Sequence, residues 1–387
     1  MKRVFLIVID GFGVGELPDA NLYGDSGSNT FLNLNKIVNL NIPTLTKLGL
    51  KNIDGLNLNC KGKPMGNYAK LEEISVGKDS ITGHYEMMKI ITKKPLPTFE
   101  NGFPLEIVSK LEKKFGVEIL GNCVASGTDI IEKLGEEHLK TKKPIVYTSA
   151  DSVLQIATHT DIYPVEKLYE FCVQARKIMK GKYAVGRVIA RPFNTIDGKF
   201  ERISEARKDY PIKLKSDNTL LKLKNAGLQV FALGKINDIF ASNGITDVMS
   251  SHTNLHTTES LFEVVKQKFS GLVFVNLVDT DTLYGHRNDV VGYAKCVEDI
   301  DKNLFKLIEK LSEKDVLIVT ADHGNDPTTS STDHSREYVP MLIYSKQFKS
   351  GINLGTIKGF DTIGKFVEIY FNLTKEKLNI LEILWKN

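Results

Sequence analysis

Val316-Leu317-Ile318-Val319-Thr320-Ala321-Asp322-His323-Gly324-Asn325-Asp326 is an apolar, β-branched run that empties into an aspartate and a histidine. A run of this kind reads as a strand buried on both faces, the pattern of a parallel sheet covered by helices. In such sheets, ligands and catalytic groups gather at the carboxyl ends of the strands. Two other runs end the same way. Asp10 follows Val4-Phe5-Leu6-Ile7-Val8-Ile9, and Asp281 and His286 follow Leu272-Val273-Phe274-Val275-Asn276-Leu277-Val278. His334 follows the first stretch and completes a possible set of six ligands. Aspartate and histidine together suit borderline-hard divalent ions such as Mn²⁺ or Zn²⁺. Two such ions about 4 Å apart would clamp the attacking and leaving oxygens of a transferring phosphoryl group.

Around these runs, strand-like segments recur at 3–9, 145–148, 185–190, 228–233, 272–278, 316–320 and 340–344. Amphipathic stretches such as Val165 to Lys180 and Tyr293 to Leu311 lie between several of them. Alternation of this sort predicts an α/β fold with a mostly parallel sheet flanked by helices. The candidate ligands fall before about residue 85 and after about residue 280, and the segment between supplies none. The economical expectation is a smaller domain at 95–211 inserted into a catalytic core of 1–94 and 212–387, with hinges near 93–97 and 208–214. Prolines near both boundaries agree. An insertion so placed could cap the metal site.

The 387 residues allow two domains and a large core. A net charge of +4, with 25% charged residues, implies no nucleic-acid-binding surface. The four cysteines, Cys60, Cys123, Cys172 and Cys296, are scattered and form no CxxC pair, which fits a reducing compartment. No apolar run approaches membrane length, so a cytoplasmic protein without a membrane partner is expected.

Each candidate has a plainer explanation when it stands alone. Asp10 could cap the following turn, and Gly11, Gly13 and Gly15 match neither a dinucleotide fingerprint nor a phosphate loop. They would let the backbone bend closely around a site. Asp279 competes with Asp281, because both follow the same strand. Asp322 and His323 are adjacent and would point to opposite faces of a strand, so they must lie where the strand gives way to a loop. A nucleophile is offered by Gly77-Lys78-Asp79-Ser80-Ile81-Thr82-Gly83-His84, through Ser80 or Thr82. Metal coordination would lower the pKa of either hydroxyl and orient it. Arg187 and Arg191 sit in an otherwise apolar run, where a guanidinium needs a partner. His252, His256, His138 and His159 read as surface residues, and His84 could orient the loop beside the nucleophile.

In order along the chain, Asp10, Lys78-Asp79-Ser80-Ile81-Thr82-Gly83-His84, Asp281…His286, Asp322-His323-Gly324 and His334 resemble the pattern of the alkaline phosphatase superfamily. Within it, the chain resembles the phosphopentomutases over nearly its whole length. Four stretches carry that closer likeness: Gly15-Glu16-Leu17-Pro18-Asp19-Ala20, Tyr147 to Gln155, Gly186 to Phe193, and Asp333-His334-Ser335-Arg336-Glu337-Tyr338-Val339-Pro340. The resemblance implies an alkaline-phosphatase-like core and an α+β cap. It places one manganese on Asp10, Asp322 and His323 and another on Asp281, His286 and His334, with Ser80 bridging them. Zn²⁺ or Mg²⁺ could substitute. The family usually has threonine at the position of Ser80, and often serine where Gly11 stands. Asp151, Arg187, Arg202 and Lys235 match positions that hold the sugar phosphate, which leaves Arg191 structural.

The implied reaction interconverts α-D-ribose 1-phosphate and D-ribose 5-phosphate, and the 2-deoxyribose pair, in nucleoside and pentose phosphate metabolism. It passes through a phosphorylated serine or threonine and a sugar bisphosphate, with a compound such as glucose 1,6-bisphosphate as activator. A phosphoglycerate mutase, a plain phosphatase and a non-catalytic phosphosugar-binding protein are the competing readings. The match of the inserted segment argues against the first two. The intact ligand set and nucleophile argue against the third.

Overall fold

Arg3–Ile9 is buried at every position and lies inside an eight-stranded sheet. The computed structural model describes residues 1–58, 62–149, 152–212, 217–249, 251, 253–378 and 382–385. Across the sheet the strands run Asp247–Met249, Gln229–Leu233, Gly271–Leu277, Arg3–Ile9, Asp315–Thr320, Val339–Tyr344, Asn67–Glu72 and Asn353–Lys358. The first five are mutually parallel. Val339–Tyr344 then runs antiparallel to both of its neighbours. Continuous apolar runs form the central strands because both sheet faces are covered, so no alternation with polar residues is needed. The architecture is α/β with a mostly parallel sheet flanked by helices.

Register decides where the chemistry falls. Val8 lies opposite both Asn276 and Thr320, so Arg3–Ile9, Gly271–Leu277 and Asp315–Thr320 end side by side. At their amino ends Arg3 and Asp315 face each other, and the buried guanidinium donates to the carboxylate through Nε at 2.9 Å and Nη2 at 2.5 Å. This fork-to-fork pairing holds two adjacent strands in one register.

The chain divides into two units, Met1–Lys94 with Leu214–Asn387, and Pro95–Lys213. The second has its own six-stranded sheet of mixed direction. Helices Leu105–Phe115 and Val165–Ile178 cover one face, packing Ile107, Leu111, Phe171 and Cys172 on Val146, Leu154, Ile156 and Val188. Helix Gly127–Thr141 covers the other, setting Ile130 and Ile131 on Tyr147, Ala157 and Phe193. Its N-cap is Ser126, whose hydroxyl accepts from the Asp129 amide. Cys172 is buried, Cys123 and Cys296 are half-buried, and all three are free, while Cys60 lies outside the described residues. No helix among the described residues is long and apolar enough to cross a membrane.

Two of the expected surface histidines are inside this second unit. His138 and His159 are both buried. His138 Nδ1 donates to the Lys143 carbonyl at 2.7 Å, and its Nε2 accepts from the His159 amide at 2.9 Å. The His159 ring packs edge-on against Phe193 and Phe200. Imidazole has an apolar body with polar tips, so two fixed partners make it a core residue. His256 is exposed as expected, and His252 lies outside the described residues.

Burial lowers the His138 pKa from its ordinary 6.5, outweighing the carbonyl bond that raises it. The unfolded chain therefore binds the extra proton first, and stability is lost as pH falls from 6.5 toward the depressed folded value. The opening free energy from amide exchange within Pro95–Lys213, corrected for the intrinsic pH dependence of exchange, should fall over that window, and a His138→Gln substitution should flatten the dependence.

Candidate metal centre

Asp10 comes immediately after the central strand and is fully buried. Asn276 Nδ2 donates to its Oδ2 at 2.9 Å, while Oδ1 has no hydrogen-bond partner among the described residues and lies 3.4 Å from His323 Nε2. Asp322 and His323 occupy the loop that follows Asp315–Thr320, where consecutive side chains can converge. Asp322 Oδ1 accepts from the Gly11 amide at 3.2 Å. Its Oδ2 stands 3.3 Å from His323 Nε2 and 3.1 Å from His84 Nδ1. Asp281 lies in a single π-helical turn, Thr280–Tyr284, rather than in an irregular loop. Such turns tend to occur at functional positions. Asp281 Oδ2 is 3.3 Å from His286 Nε2 and Oδ1 is 3.4 Å from His334 Nε2.

The six candidates thus fall into two triads, Asp10–Asp322–His323 and Asp281–His286–His334, each with ligand atoms within 4.8 Å of one another. The rings of His323 and His334 are 4.0 Å apart, so the triads adjoin. Asp279 is turned away, accepting from the Asn254 amide at 2.9 Å.

Divalent cations fit this donor set. His286 Nδ1 faces the Thr332 carbonyl at 2.7 Å and His323 Nδ1 the Gly324 carbonyl at 3.0 Å. A carbonyl only accepts, so each Nδ1 carries a hydrogen and Nε2 is the nitrogen turned inward. Each Nε2 points at carboxylate oxygens, a contact that needs a proton or a metal cation between the two. The carboxylates divide: burial would raise Asp281 and Asp322, but the neighbouring histidines outweigh it and lower both. Burial, then Asp322 and Asp281, push the Asp10 pKa up to about 8. Burial would lower His334, but Asp281 outweighs it and raises that ring to about 10.

Ser80 opens the helix Ser80–Met87 and is partly exposed, with Oγ 3.0 Å from His323 Nε2. Asp79 caps the helix, accepting from the Ile81 and Thr82 amides. Its other oxygen takes the Thr82 hydroxyl at 2.7 Å, and Thr82 is buried. Of the two hydroxyls, only Ser80 faces the triads. His84, fully buried one turn on, donates to the Ser80 carbonyl at 2.7 Å. Gly83 sits against the Asp322 backbone, where a Cβ would fall 2.0 Å from the carbonyl oxygen.

The supporting residues left no sequence signal as ligands. Buried Arg336 donates to Glu73 at 2.6 Å and to the Ser75 and Gly77 carbonyls, pinning the segment that leads to Ser80. Glu337 accepts from Thr30, Ser335 and the Gly15 amide. Burial raises its pKa to about 7 despite those bonds. Asn325 Nδ2 donates to Asp281 Oδ1 at 2.7 Å. Asn276 did carry a hint, being the one polar side chain in an apolar run.

Lys235, in the first unit, is close enough for its charge to lower Asp10 and Asp279. In the second unit, Arg187 pairs with Asp209 at 3.3 Å, and Arg191 donates to Gln155 at 3.0 Å. Arg202 is exposed, and Arg207 forms a bidentate pair with Asp209. Asp151 lies outside the described residues.

The profile of the Metalloenzyme superfamily matches residues 2–375, and the sheet with paired Asp/His triads defines a metal-dependent enzyme of that class, consistent with the alkaline phosphatase superfamily. A solved structure from Pyrococcus horikoshii shares the fold, with a TM-score of 0.51 and 16% identity, over 97% of this chain and 99% of that one. Much closer sequences exist. A phosphopentomutase of Clostridium kluyveri is 51% identical over 95% of both chains, and that of Acetivibrio thermocellus 48% identical over 97% of both. A phosphopentomutase of Dictyoglomus turgidum is 48% identical over the full length of each. The chain belongs to the phosphopentomutase family, a family of isomerases.

A methyl group at residue 83 must push the helix away from Asp322, and Ser80 with it. Displacement by about 1 Å at a reacting centre can cost on the order of 10²-fold in rate. Gly83→Ala should lower kcat by that order in a coupled mutase assay while leaving the thermal midpoint of the second unit unchanged.

Proposed function

We propose that this enzyme interconverts α-D-ribose 1-phosphate and D-ribose 5-phosphate, and the 2-deoxyribose pair, through phosphorylated Ser80 and a sugar bisphosphate. The observation that carries the reading is the Ser80 hydroxyl, partly exposed and 3.0 Å from His323, beside two adjoining metal-type triads. The full-length relatedness to phosphopentomutases supplies the substrate class.

Asp10, Asp322 and His323 would hold one divalent cation and Asp281, His286 and His334 another, manganese in the first instance with Zn²⁺ or Mg²⁺ as substitutes. Bound there, the cations would supply Lewis-acid stabilisation of charge on the transferring phosphoryl group. Ser80 carries that group between turnovers. In the forward half-reaction the Ser80 Oγ–P bond breaks, a bond forms from phosphorus to the free sugar hydroxyl, and the hydroxyl proton ends on Ser80. The bisphosphate then presents its other phosphoryl group, and the reverse transfer restores the phosphoenzyme. A bisphosphate such as glucose 1,6-bisphosphate would prime the first turnover. The helix that Ser80 opens adds the positive end of its dipole to the phosphoserine.

Pro95–Lys213 is assigned the part of a cap that excludes water, which favours transfer over hydrolysis. Its Arg187 and Arg202, with Asp151 and with Lys235 of the first unit, are assigned to the sugar phosphate. Guanidinium forks bind phosphate bidentately and lysine adds a compact charge. The setting is cytoplasmic nucleoside and pentose phosphate metabolism, with small-molecule partners and no nucleic acid or membrane.

A ³¹P NMR time course with ribose 1-phosphate, Mn²⁺ and a trace of glucose 1,6-bisphosphate tests the reading. Ribose 5-phosphate should grow without inorganic phosphate. Release of inorganic phosphate would instead mean a hydrolase, and an unchanged spectrum a different substrate. Ser80→Ala should abolish the phosphoenzyme and cut turnover on the order of 10³-fold or more, with Mn²⁺ binding retained. Retained turnover would remove Ser80 from its role and point to Thr82.

A further inference from the structure

Asn276 interrupts the apolar central strand Gly271–Leu277, and Asn325 lies in the loop after Asp315–Thr320. Both are fully buried. Asn276 Nδ2 donates to Asp10 Oδ2 at 2.9 Å, and Asn325 Nδ2 donates to Asp281 Oδ1 at 2.7 Å. In each amide the oxygen takes no hydrogen-bond partner among the described residues. A buried amide left half-satisfied is unfavourable, and a leucine of similar volume would avoid it. The donor therefore accounts for the residue.

Each donor reaches a carboxylate of a different triad. Asn276 occupies one oxygen of Asp10 and leaves Oδ1 toward His323. Asn325 is held from two sides. A Cβ on Gly285 would lie 2.5 Å from its Nδ2, and one on Gly11 would lie 2.9 Å from its Cβ. The amide has little freedom to swing away from Asp281. A neutral donor can fix a carboxylate without cancelling the charge that a cation requires. A lysine there would compete with the ion, and an aspartate would repel the ligand.

We propose that Asn276 and Asn325 are positioning residues, one for each cation, with Asn276 setting Asp10 for the first and Asn325 setting Asp281 for the second. The inference rests on the two-cation reading of the site. Its consequence is that the two ions can be weakened separately by changes that remove no ligand.

The test uses the metal-stripped full chain, titrated with Mn²⁺ by calorimetry and melted with and without the ion. Asn276→Leu should weaken one of the two ions roughly 10–100-fold, the usual range for outer-shell partners, and Asn325→Leu should do the same to the other. Added to His323→Ala, Asn276→Leu should act only on the ion that His323→Ala already weakens and leave the affinity of the other unchanged. In EDTA the Leu variants should melt no lower than the parent, while the rise on adding Mn²⁺ should shrink. A purely structural role would give the reverse: lower melting in EDTA and unchanged Mn²⁺ affinity, which overturns the inference. If either Leu variant does not fold, Asn276→Ser and Asn325→Ser, which are smaller, carry the same expectation. A parent chain that binds fewer than two ions overturns the two-cation reading itself. A parent that binds two, with variants that match it, overturns only the positioning roles.

Discussion

Three buried carboxylates at the ends of three neighbouring parallel strands set the terms for everything around them. The register that aligns Val8 with Asn276 and Thr320 leaves Asp10, Asp322 and Asp281 no choice but to converge. Burial first, and then their crowding, raises the Asp10 pKa. Charge buried at this density persists only if something compensates it. Three histidines stand against the carboxylates, two of them with Nε2 turned inward by backbone carbonyls on Nδ1. The same strand pair is locked at its other end by Arg3 and Asp315. One end of the sheet holds a satisfied ion pair, and the other holds an unsatisfied set that defines the site.

The proposed nucleophile is held by a different kind of constraint. Ser80 sits at the first turn of a short helix whose cap, Asp79, consumes the competing hydroxyl of Thr82. Gly83 brings that helix against the Asp322 backbone, and Arg336 fixes the approach to it from Glu73 to Gly77. Nothing in this arrangement depends on threonine at position 80. A serine there can take any staggered rotamer, since it lacks the second Cβ substituent that stiffens threonine. The contact to His323 restores the orientation that a methyl group would otherwise give.

The legible part of the fold was the part where both sheet faces are covered. Arg3–Ile9, Gly271–Leu277 and Asp315–Thr320 have unbroken apolar runs, and the sequence places them within a residue or two. Asn67–Glu72 and Asn353–Lys358 escaped because they lie toward one edge of the sheet, with half-exposed positions and a register shift between them. Periodicity is weakest in such strands. Side-chain roles set by distant partners were harder still. His138 and His159 form one buried chain of hydrogen bonds across residues far apart in sequence, and a lone histidine gives no sign of that. The π-helical turn at Asp281 is equally silent, since a single extra residue per turn changes no pattern. Asp281 and Asp279 were separable only by resemblance, whereas the structure separates them by direction.

On the proposed reaction the substrate must be held twice, once by each of its phosphates. A pocket that satisfied every sugar hydroxyl in one pose would trap the bisphosphate and stop the cycle after half a turnover. Recognition has to lie mainly in the phosphate that is not being transferred, which is common to both poses. The sheet of Pro95–Lys213 carries chemistry of that kind. Arg191 feels the charges of Arg202 and Arg207, and its pKa is lowered by burial and then by those like charges. Asp209 is shared between Arg187 and Arg207 and leaves the cluster cationic. A dianion is the natural complement of such a group, and bidentate forks hold phosphate by its geometry rather than by what it is esterified to. On the proposed roles, a cationic group of this kind would hold a phosphate in either orientation of the sugar.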